Sequence, residues 1–241
     1  MTLPVKVIAF DAVGTLIYAM PSVSSAYGSV LSKTCGIEVD AGRVRSVLNA
    51  RLSERIREHD LRTSEERERE FWFDLISELV HQQEQKKRAF DSLFSYFADP
   101  GHWRCFDDVE PVLTALRSDG FRLLLASNFD HRLHNVKQGL RELSVIEQTI
   151  VSSEVGWRKP AGQFFQHVCE VAQCEPHEVL FVGDDMSADV IGARSSGMHA
   201  AWLDRRSASD LPREDSRIFR CESLHQLIAI PVLAPYRRGI P

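Results

Sequence analysis

The sequence predicts an α/β protein with a parallel β-sheet and a separate block of helices inserted after the first strand. Short apolar runs typical of buried strands alternate with helical patterns in the second half of the chain. Residues 20–105, in contrast, show only helical spacing of apolar side chains. Polar residues directly follow the strand-like runs, which is where ligands bind in open α/β sheets.

The core elements follow from these apolar runs, taken in chain order. The first strand covers residues 5–10, is rich in β-branched residues and ends at Asp11. Gly120 and Gly197 each end a helix. The remaining pattern predicts helices over 109–118, 131–141, 164–172 and 188–196, and strands over 122–126, 149–151, 179–182 and 199–203.

The inserted block is predicted to be entirely helical. Trp72, Phe73, Phe94 and Phe97 recur at helical spacing, which favours the packed interior of the block over a substrate pocket. Between residues 54 and 70, twelve of seventeen residues are charged and both signs are present. This mixture favours a solvated helix face or helix junction, and a partner-binding surface is the alternative.

Composition excludes several classes of function. The 241 residues carry a net charge of −5, and no basic stripe indicates a nucleic-acid partner. No apolar run of about 18 residues is present, so we expect no membrane-spanning helix. The N-terminus lacks the pattern of a secretory leader, and the five cysteines form no CxxC pair. We therefore expect a cytoplasmic protein with reduced thiols.

Four strand ends carry chemically different groups. Asp11, Ser127, Lys159 and Asp184 each follow a predicted strand, although each alone is equally typical of a cap or turn residue. Carboxylates that converge at one sheet edge repel each other unless a cation neutralises them, and hard oxygen ligands suit Mg²⁺. Ser127 and Lys159 could then hold phosphate oxygens while Asp11 attacks phosphorus.

These residues resemble the motifs of the haloacid dehalogenase (HAD)-like hydrolase superfamily. Residues 11–16, DAVGTL, stand where the family has DxDGT(L/V). The strand ending in Ser127, the Lys159-Pro160 pair, and Gly183-Asp184 with Asp189 match the other three motifs in order. The resemblance implies a Rossmann-like core at residues 1–17 and 106–230, a helical cap at 18–105 and a tail at 231–241.

The resemblance also implies roles for individual residues. Asp11 would be the nucleophile and a Mg²⁺ ligand, together with the backbone carbonyl of Val13 and with Asp184. Asp189 would support the metal directly or from behind, whereas Asp185 is more typical of a solvated turn. Three residues would act on the phosphoryl group: Thr15 would hold it or the loop, Ser127 would bind it with Asn128 behind, and Lys159 would steady both it and Asp11.

Position 13 departs from the family pattern. Most phosphatases of this family have Asp there as the general acid and base, and valine cannot transfer a proton. Without this general acid and base we expect slow or atypical phosphatase action on a small phosphate ester, because general acid–base catalysis accelerates a reaction by about 10² to 10⁴-fold. The other candidate bases near the motifs are Asp130, His131, His134 and Asp185.

Two alternatives to the phosphatase stay open. In a 2-haloacid dehalogenase, Asp11 would attack carbon; that branch also lacks the second Asp, but it does not need the acidic pair at Asp184 and Asp189. In a regulatory protein, the fold would keep phosphate or metal binding without turnover. Intact Asp11 and Lys159 argue against a purely structural role.

Overall fold

The computed structural model describes residues 5–205 and 218–236 of the chain. Its strands are β1 (Val7–Phe10), β2 (Ile17–Ala19), β3 (Trp103–Cys105), β4 (Arg122–Ser127), β5 (Gln148–Val151), β6 (Val179–Gly183), β7 (His199–Leu203) and β8 (Ile218–Cys221). Its helices are α1 (Val23–Cys35), α2 (Ala41–Arg57), α3 (Glu65–Leu79), α4 (Gln83–Tyr96), α5 (Val109–Ser118), α6 (Arg132–Gly139), α7 (Ser152–Val155), α8 (Gly162–Ala172), α9 (Gly192–Ser195) and α10 (Leu224–Leu227).

Six strands form one parallel sheet in the order β5-β4-β1-β6-β7-β8. Helices cover both faces, so β1 is buried along its whole length, as parallel strands usually are. The predicted α/β, Rossmann-like fold class is confirmed. The order places β1 between β4 and β6, and this brings three strand ends, at Asp11, Ser127 and Gly183, to the same edge of the sheet.

The predicted core elements are found at or near their predicted bounds. Helix α5 and strand β7 match their predicted ranges, and the apolar side chains of α5 are buried at helical spacing. Strand β8 and the short helices α7 and α10 were not predicted. The predicted helix at 188–196 is instead a π-helix, Met186–Ile191, that continues into α9.

Four helices, α1 to α4, fill the segment between the first and second core strands. The expectation that residues 20–105 contain no strand is wrong at their end. Strand β3 pairs antiparallel with β2, and the two form a ribbon that carries the chain into and out of the helical block. A pair of three-residue strands gives no periodicity that a sequence pattern could detect. The division into core, cap and tail at residues 17, 105 and 230 stays a prediction.

The described part of the predicted tail is packed rather than loosely held. Residues Pro231–Tyr236 form a 3-10 helix, and Leu233 is buried in the main apolar core. The rest of the predicted tail, residues 237–241, lies outside the described residues. Across residues 5–205 and 218–236, every helix is too short or too polar to cross a lipid bilayer.

The charge-rich stretch 54–70 contains the junction between α2 and α3, and this junction lies against the core. The Arg158 guanidinium donates to Glu58 Oε2 at 2.7 Å, and the Arg158 amide donates to the Leu61 carbonyl at 2.8 Å. One step further along, the Thr63 amide donates to the Gly156 carbonyl at 3.0 Å. The predicted helix junction is present and most of the stretch is exposed, whereas Thr63 and Glu68 are buried. The hydrogen bonds of the junction tie the helical block to the loop that precedes Lys159.

Candidate active site

Asp11 stands at the end of β1, and two donors converge on one of its carboxylate oxygens. The Ser127 hydroxyl donates to Asp11 Oδ1 at 2.8 Å, and Lys159 Nζ donates to the same oxygen at 2.7 Å. The Asp11 side chain is buried apart from a small exposed fraction of 6 %. The adjacent ends of β1 and β4 make this contact because they pair in register. The structure thus brings together three of the predicted site residues.

Lys159 is the central cation of the site. Its buried Nζ also donates to Asp189 Oδ1 at 2.6 Å and to the Ala126 carbonyl at 3.1 Å. Burial by itself would lower the pKa of Lys159, but the negative charges of Asp11 and Asp189 raise it above its ordinary value. The lysine therefore stays protonated and holds two carboxylates at fixed positions.

Asn128 holds the backbone of this lysine. The Lys159 amide donates to Asn128 Oδ1 at 2.8 Å, and Asn128 Nδ2 donates to the Lys159 carbonyl at 3.1 Å. These two bonds link the ends of the second and third motifs. The Asn128 side chain thus acts first on the lysine, and its predicted contact with phosphate stays a prediction.

Asp184 and Asp189 complete an acidic cluster with Asp11, in which one oxygen of each lies within 4.8 Å of the others. Burial and then the charge of Asp11 raise the pKa of Asp184 to about 6. Burial and the charge of Asp11, opposed by Lys159, raise the pKa of Asp189 to about 7. Burial is the largest cause of both shifts, and a divalent cation at such carboxylates would offset its cost.

The two acids differ in how the protein engages them. Asp189 uses both oxygens: Oδ1 accepts from Lys159, and Oδ2 accepts from the Asp185 amide at 3.1 Å. Asp184 Oδ1 accepts a long bond of 3.4 Å from the Thr15 hydroxyl. Of the two predicted metal ligands, Asp184 therefore has the oxygens that are available for a cation, whereas Asp189 is placed to support the cluster from behind.

Two glycines leave room for these carboxylates. A Cβ at Gly14, whose φ is +92°, would lie 2.3 Å from Asp184 Oδ2. A Cβ at Gly183 would lie 2.1 Å from Asp189 Oδ2. Any side chain at either position would displace an acid, because real Cβ contacts are essentially never this close. Glycine is therefore favoured at positions 14 and 183, because a side chain at either position would overlap a carboxylate of the acidic cluster.

Thr15 lies behind Asp184, to which its hydroxyl donates, and away from the cavity. It is fully buried, and it is absent from the set of residues that line the cavity at Asp11. Its carbonyl accepts from Arg205 Nη2 at 2.8 Å, and Arg205 in turn forms a bidentate ion pair with Asp108. Of the two roles predicted for Thr15, this position favours holding the loop over contacting phosphate.

The candidate replacement bases are already engaged by other groups. Asp130 forms a buried bidentate ion pair with Arg132, at 2.7 and 2.6 Å, and Asp185 caps the π-helix by accepting from two backbone amides. The exposed rings of His131 and His134 pair with Glu65 and Glu154. Asp130 and Asp185 line the cavity, whereas the two histidines do not. The partners of the two histidines lie 66 and 20 residues away, so no local sequence pattern indicates them.

A cavity of about 370 Å³ opens above Asp11 and is closed on the far side by the helical block. Val13 lines it with 39 % of the residue exposed, so the departure from the family pattern is in the cavity itself. Sequence reasoning missed three arginines and a glutamate that also line it. They are Arg55, Arg132, Arg158 and Glu68. The spacing between Asp130 and Arg132 was a possible signal for one of them.

Replacing Lys159 with methionine is expected to destabilise the protein by about 3 kcal/mol, because two buried carboxylates lose their shared cation. Chemical denaturation at neutral pH measures the change in the free energy of unfolding. Lys87→Met is the matched control: Lys87 pairs with Asp91 on the exposed face of α4, and we expect a change below about 1 kcal/mol. Equal effects of the two substitutions would contradict the central role of Lys159.

Fold and site together define a class of protein: an α/β protein whose parallel sheet presents a buried aspartate, a lysine and an acidic cluster at one edge. The model of the haloacid dehalogenase-like hydrolases matches residues 5–197. This match covers most of the chain, and the protein belongs to that family. The resemblance expected from the four motifs is thereby confirmed.

Two curated relatives illustrate the similarity. The chain is 31% identical over 153 residues to human haloacid dehalogenase-like hydrolase domain-containing protein 3, and the match covers 61% of each chain. It is 26% identical over 174 residues to mouse N-acylneuraminate-9-phosphatase, covering 71% of this chain and 67% of that one. Matches to the bovine, human and mouse forms of the first relative span 54%, 61% and 55% of their lengths.

Solved structures of both branches share the fold. A HAD phosphatase from Thermococcus onnurineus superimposes with a TM-score of 0.66 at 24% identity, covering 93% of this chain and 96% of that one. The L-2-haloacid dehalogenase from Xanthobacter autotrophicus superimposes with a TM-score of 0.69 at 20% identity, covering 92% and 96%. Because a phosphatase and a dehalogenase superimpose on this chain about equally well, the fold does not distinguish the two activities. Only the residues of the site can do so.

Proposed function

We propose that the protein is a Mg²⁺-dependent phosphatase that hydrolyses a small phosphate ester through a phosphorylated Asp11. The observation that carries this proposal is the arrangement around the Asp11 carboxylate. Ser127 and Lys159 donate to Asp11 Oδ1 at 2.8 and 2.7 Å. An oxygen of Asp184 lies within 4.8 Å of an Asp11 oxygen. Positive charge and hydroxyl donors at one point favour a phosphoryl group, which carries negative charge on several oxygens.

The reaction uses Asp11 twice. A carboxylate oxygen of Asp11 forms a bond to phosphorus, and the ester P–O bond breaks with its electron pair going to the leaving oxygen, which takes a proton from water. Water then attacks the phosphorus of the aspartyl-phosphate, and breaking the P–O bond to Asp11 restores the carboxylate and yields inorganic phosphate. Ser127 and Lys159 orient Asp11 and offset the charge on the phosphoryl oxygens.

The acidic cluster fits a magnesium ion by the chemistry of its donors. Asp11, Asp184 and the backbone carbonyl of Val13 would hold the ion, and Asp189 would support Lys159 and the cluster from behind. A bound magnesium ion neutralises the carboxylates and polarises a phosphoryl oxygen. Valine keeps the backbone carbonyl, so metal binding is compatible with the departure at position 13.

A 2-haloacid dehalogenase is the second candidate, and Val13 is the observation that favours it. Displacement of halide from carbon needs no general acid, because halide leaves without a proton. Against it stands the cluster of Asp184 and Asp189 beside Asp11, whose charges would repel the carboxylate of a haloacid. The close approach of Asp11, Lys159 and Asp184 supports a catalytic function over the regulatory interpretation.

Mg²⁺ dependence tests the proposal directly. We expect phosphate release from aryl and acyl phosphates that is lost on chelation and restored by Mg²⁺, and calorimetric binding of Mg²⁺ that Asp184→Asn abolishes. Asp185→Asn is the matched control, because an asparagine at that position still caps the π-helix, and its Mg²⁺ binding should be retained. Metal-independent chloride release from 2-chloropropionate would overturn the phosphatase and establish the dehalogenase. Mg²⁺ binding with neither activity would favour the regulatory interpretation.

A further inference from the structure

A second cavity, of about 460 Å³, lies under the helical block and adjoins the cavity at Asp11. We refer to this second cavity as the apolar chamber. Its walls are mainly buried aromatic and aliphatic side chains, among them Tyr27, Leu48, Ile76, Leu93, Phe97 and Trp103. Ser24, Arg45 and Asn49 are polar residues of its lining, and the last two are exposed on α2. The proposed mechanism does not use this space.

The apolar chamber is continuous with the site of the nucleophile. Val13, Leu52 and Trp72 line both cavities, and so do Asn128, Phe129 and Arg132. Of these residues, Val13 and Leu52 are each 39 % exposed. An aspartate at position 13 would place a negative charge at this passage, whereas valine contributes an apolar surface there.

The cavity at Asp11 offers little to a second negative group on a substrate. Arg55 is bonded to the buried Glu68, Arg132 is bidentate to the buried Asp130, and Arg158 is bonded to Glu58. Lys159 is shared between Asp11 and Asp189. Every arginine and lysine that lines this cavity in the described chain is therefore paired with a carboxylate.

We propose that the apolar chamber binds the leaving group of the substrate, and that this group is a neutral, apolar aryl group. The chemical class is an aryl phosphate monoester, whose phosphate lies at Asp11 while its ring passes Val13 into the chamber. This assignment rests on the proposed phosphatase function. It also agrees with the missing proton donor, because a phenolate leaves without protonation far more readily than an alkoxide does.

The direct test is binding of phosphonates that the enzyme cannot hydrolyse. We expect 1-naphthylmethylphosphonate to bind in the presence of Mg²⁺ about ten-fold or more tightly than phosphonoacetate, because its ring leaves water for the chamber. Quenching of Trp72 and Trp103 fluorescence, checked by calorimetry, measures this binding. Equal affinity for the two phosphonates, or tighter binding of phosphonoacetate, would overturn the assignment.

Two variants on α2 localise the effect. Leu52→Glu places a charge at the passage between the two cavities and should remove most of the preference for the naphthyl compound. Ala50→Glu adds the same charge on the exposed surface of the same helix, outside both linings, and should keep the preference. A preference that survives in Leu52→Glu would show that the ring binds elsewhere and would overturn the proposal.

Hydrolysis separates this inference from the function on which it rests. We expect kcat/KM for 1-naphthyl phosphate to exceed that for phosphoglycolate about ten-fold or more. Phosphate release at equal rates would overturn the chamber assignment and leave the phosphatase standing. If no ester releases phosphate, the phosphatase proposal and the substrate assignment fail together. Tighter binding of the naphthyl phosphonate would in that case show a binding site for an aryl group and no reaction.

Discussion

Replacing Val13 with aspartate is expected to raise kcat/KM for phosphate esters with poor leaving groups by about 10² to 10⁴-fold. The side chain at this position lines the cavity at Asp11 and is partly exposed, so an aspartate has room there. The family pattern implies that a carboxyl group at this site protonates the leaving oxygen and then activates water. The gain should be smallest for acidic phenols, because their phenolates already leave without help.

A series of aryl and alkyl phosphates measures this effect. In the wild type, log kcat/KM should fall steeply as the pKa of the leaving group rises, and in Val13→Asp the slope should be flatter. Val13→Asn is the matched control, because asparagine has the same shape as aspartate but cannot transfer the proton. Equal rates and equal slopes for the aspartate and asparagine variants would contradict a missing acid at position 13.

Asp11→Asn should lower phosphate release by about 10³-fold or more, because the neutral amide is a poor nucleophile. The protein should remain folded, since the amide side chain keeps an oxygen that can accept from Ser127 and Lys159 as Asp11 Oδ1 does. Steady-state rates and thermal unfolding of the same preparation separate the two effects. A folded variant that loses activity identifies a chemical role, whereas loss of both would indicate a structural one.

Asp91→Asn supplies the control for this substitution, because it changes the same chemical group on the exposed surface of α4. Its phosphate release should match that of the wild type. Full activity in Asp11→Asn would exclude a phosphorylated Asp11 and would point to direct attack by water.

The positions of the strand ends at the site could be predicted from the sequence, because a buried strand is an apolar run and the polar residue after it marks its end. Asp11 directly follows buried strand β1 and Ser127 ends buried strand β4, and parallel strands bring such ends to one edge. The contact of Asn128 with the Lys159 backbone could not be predicted in the same way, since it depends on the distance between two loops that are 31 residues apart.

Other features escaped prediction for related physical reasons. Strand β8 lies at the edge of the sheet and is only partly buried over most of its length, so its apolar signal is weak. The pairing of Arg158 with Glu58 joins residues 100 positions apart and leaves no local pattern. Charged residues in a sequence suggest solvent, and only the folded chain shows which of them, such as Glu68, are buried with partners.

The close approach of Gly14 and Gly183 to two carboxylates has a consequence for how this enzyme can change over evolutionary time. At these two positions even one added methyl group would meet Asp184, or the Asp189 carboxylate that is bonded to Lys159, so a substitution of either glycine requires a carboxylate to move. Val13 borders open space, and many side chains fit there. Single substitutions at position 13 can therefore change the chemistry of the site over evolution. The close packing of Gly14 and Gly183 against Asp184 and Asp189 meanwhile disfavours changes in the acidic cluster.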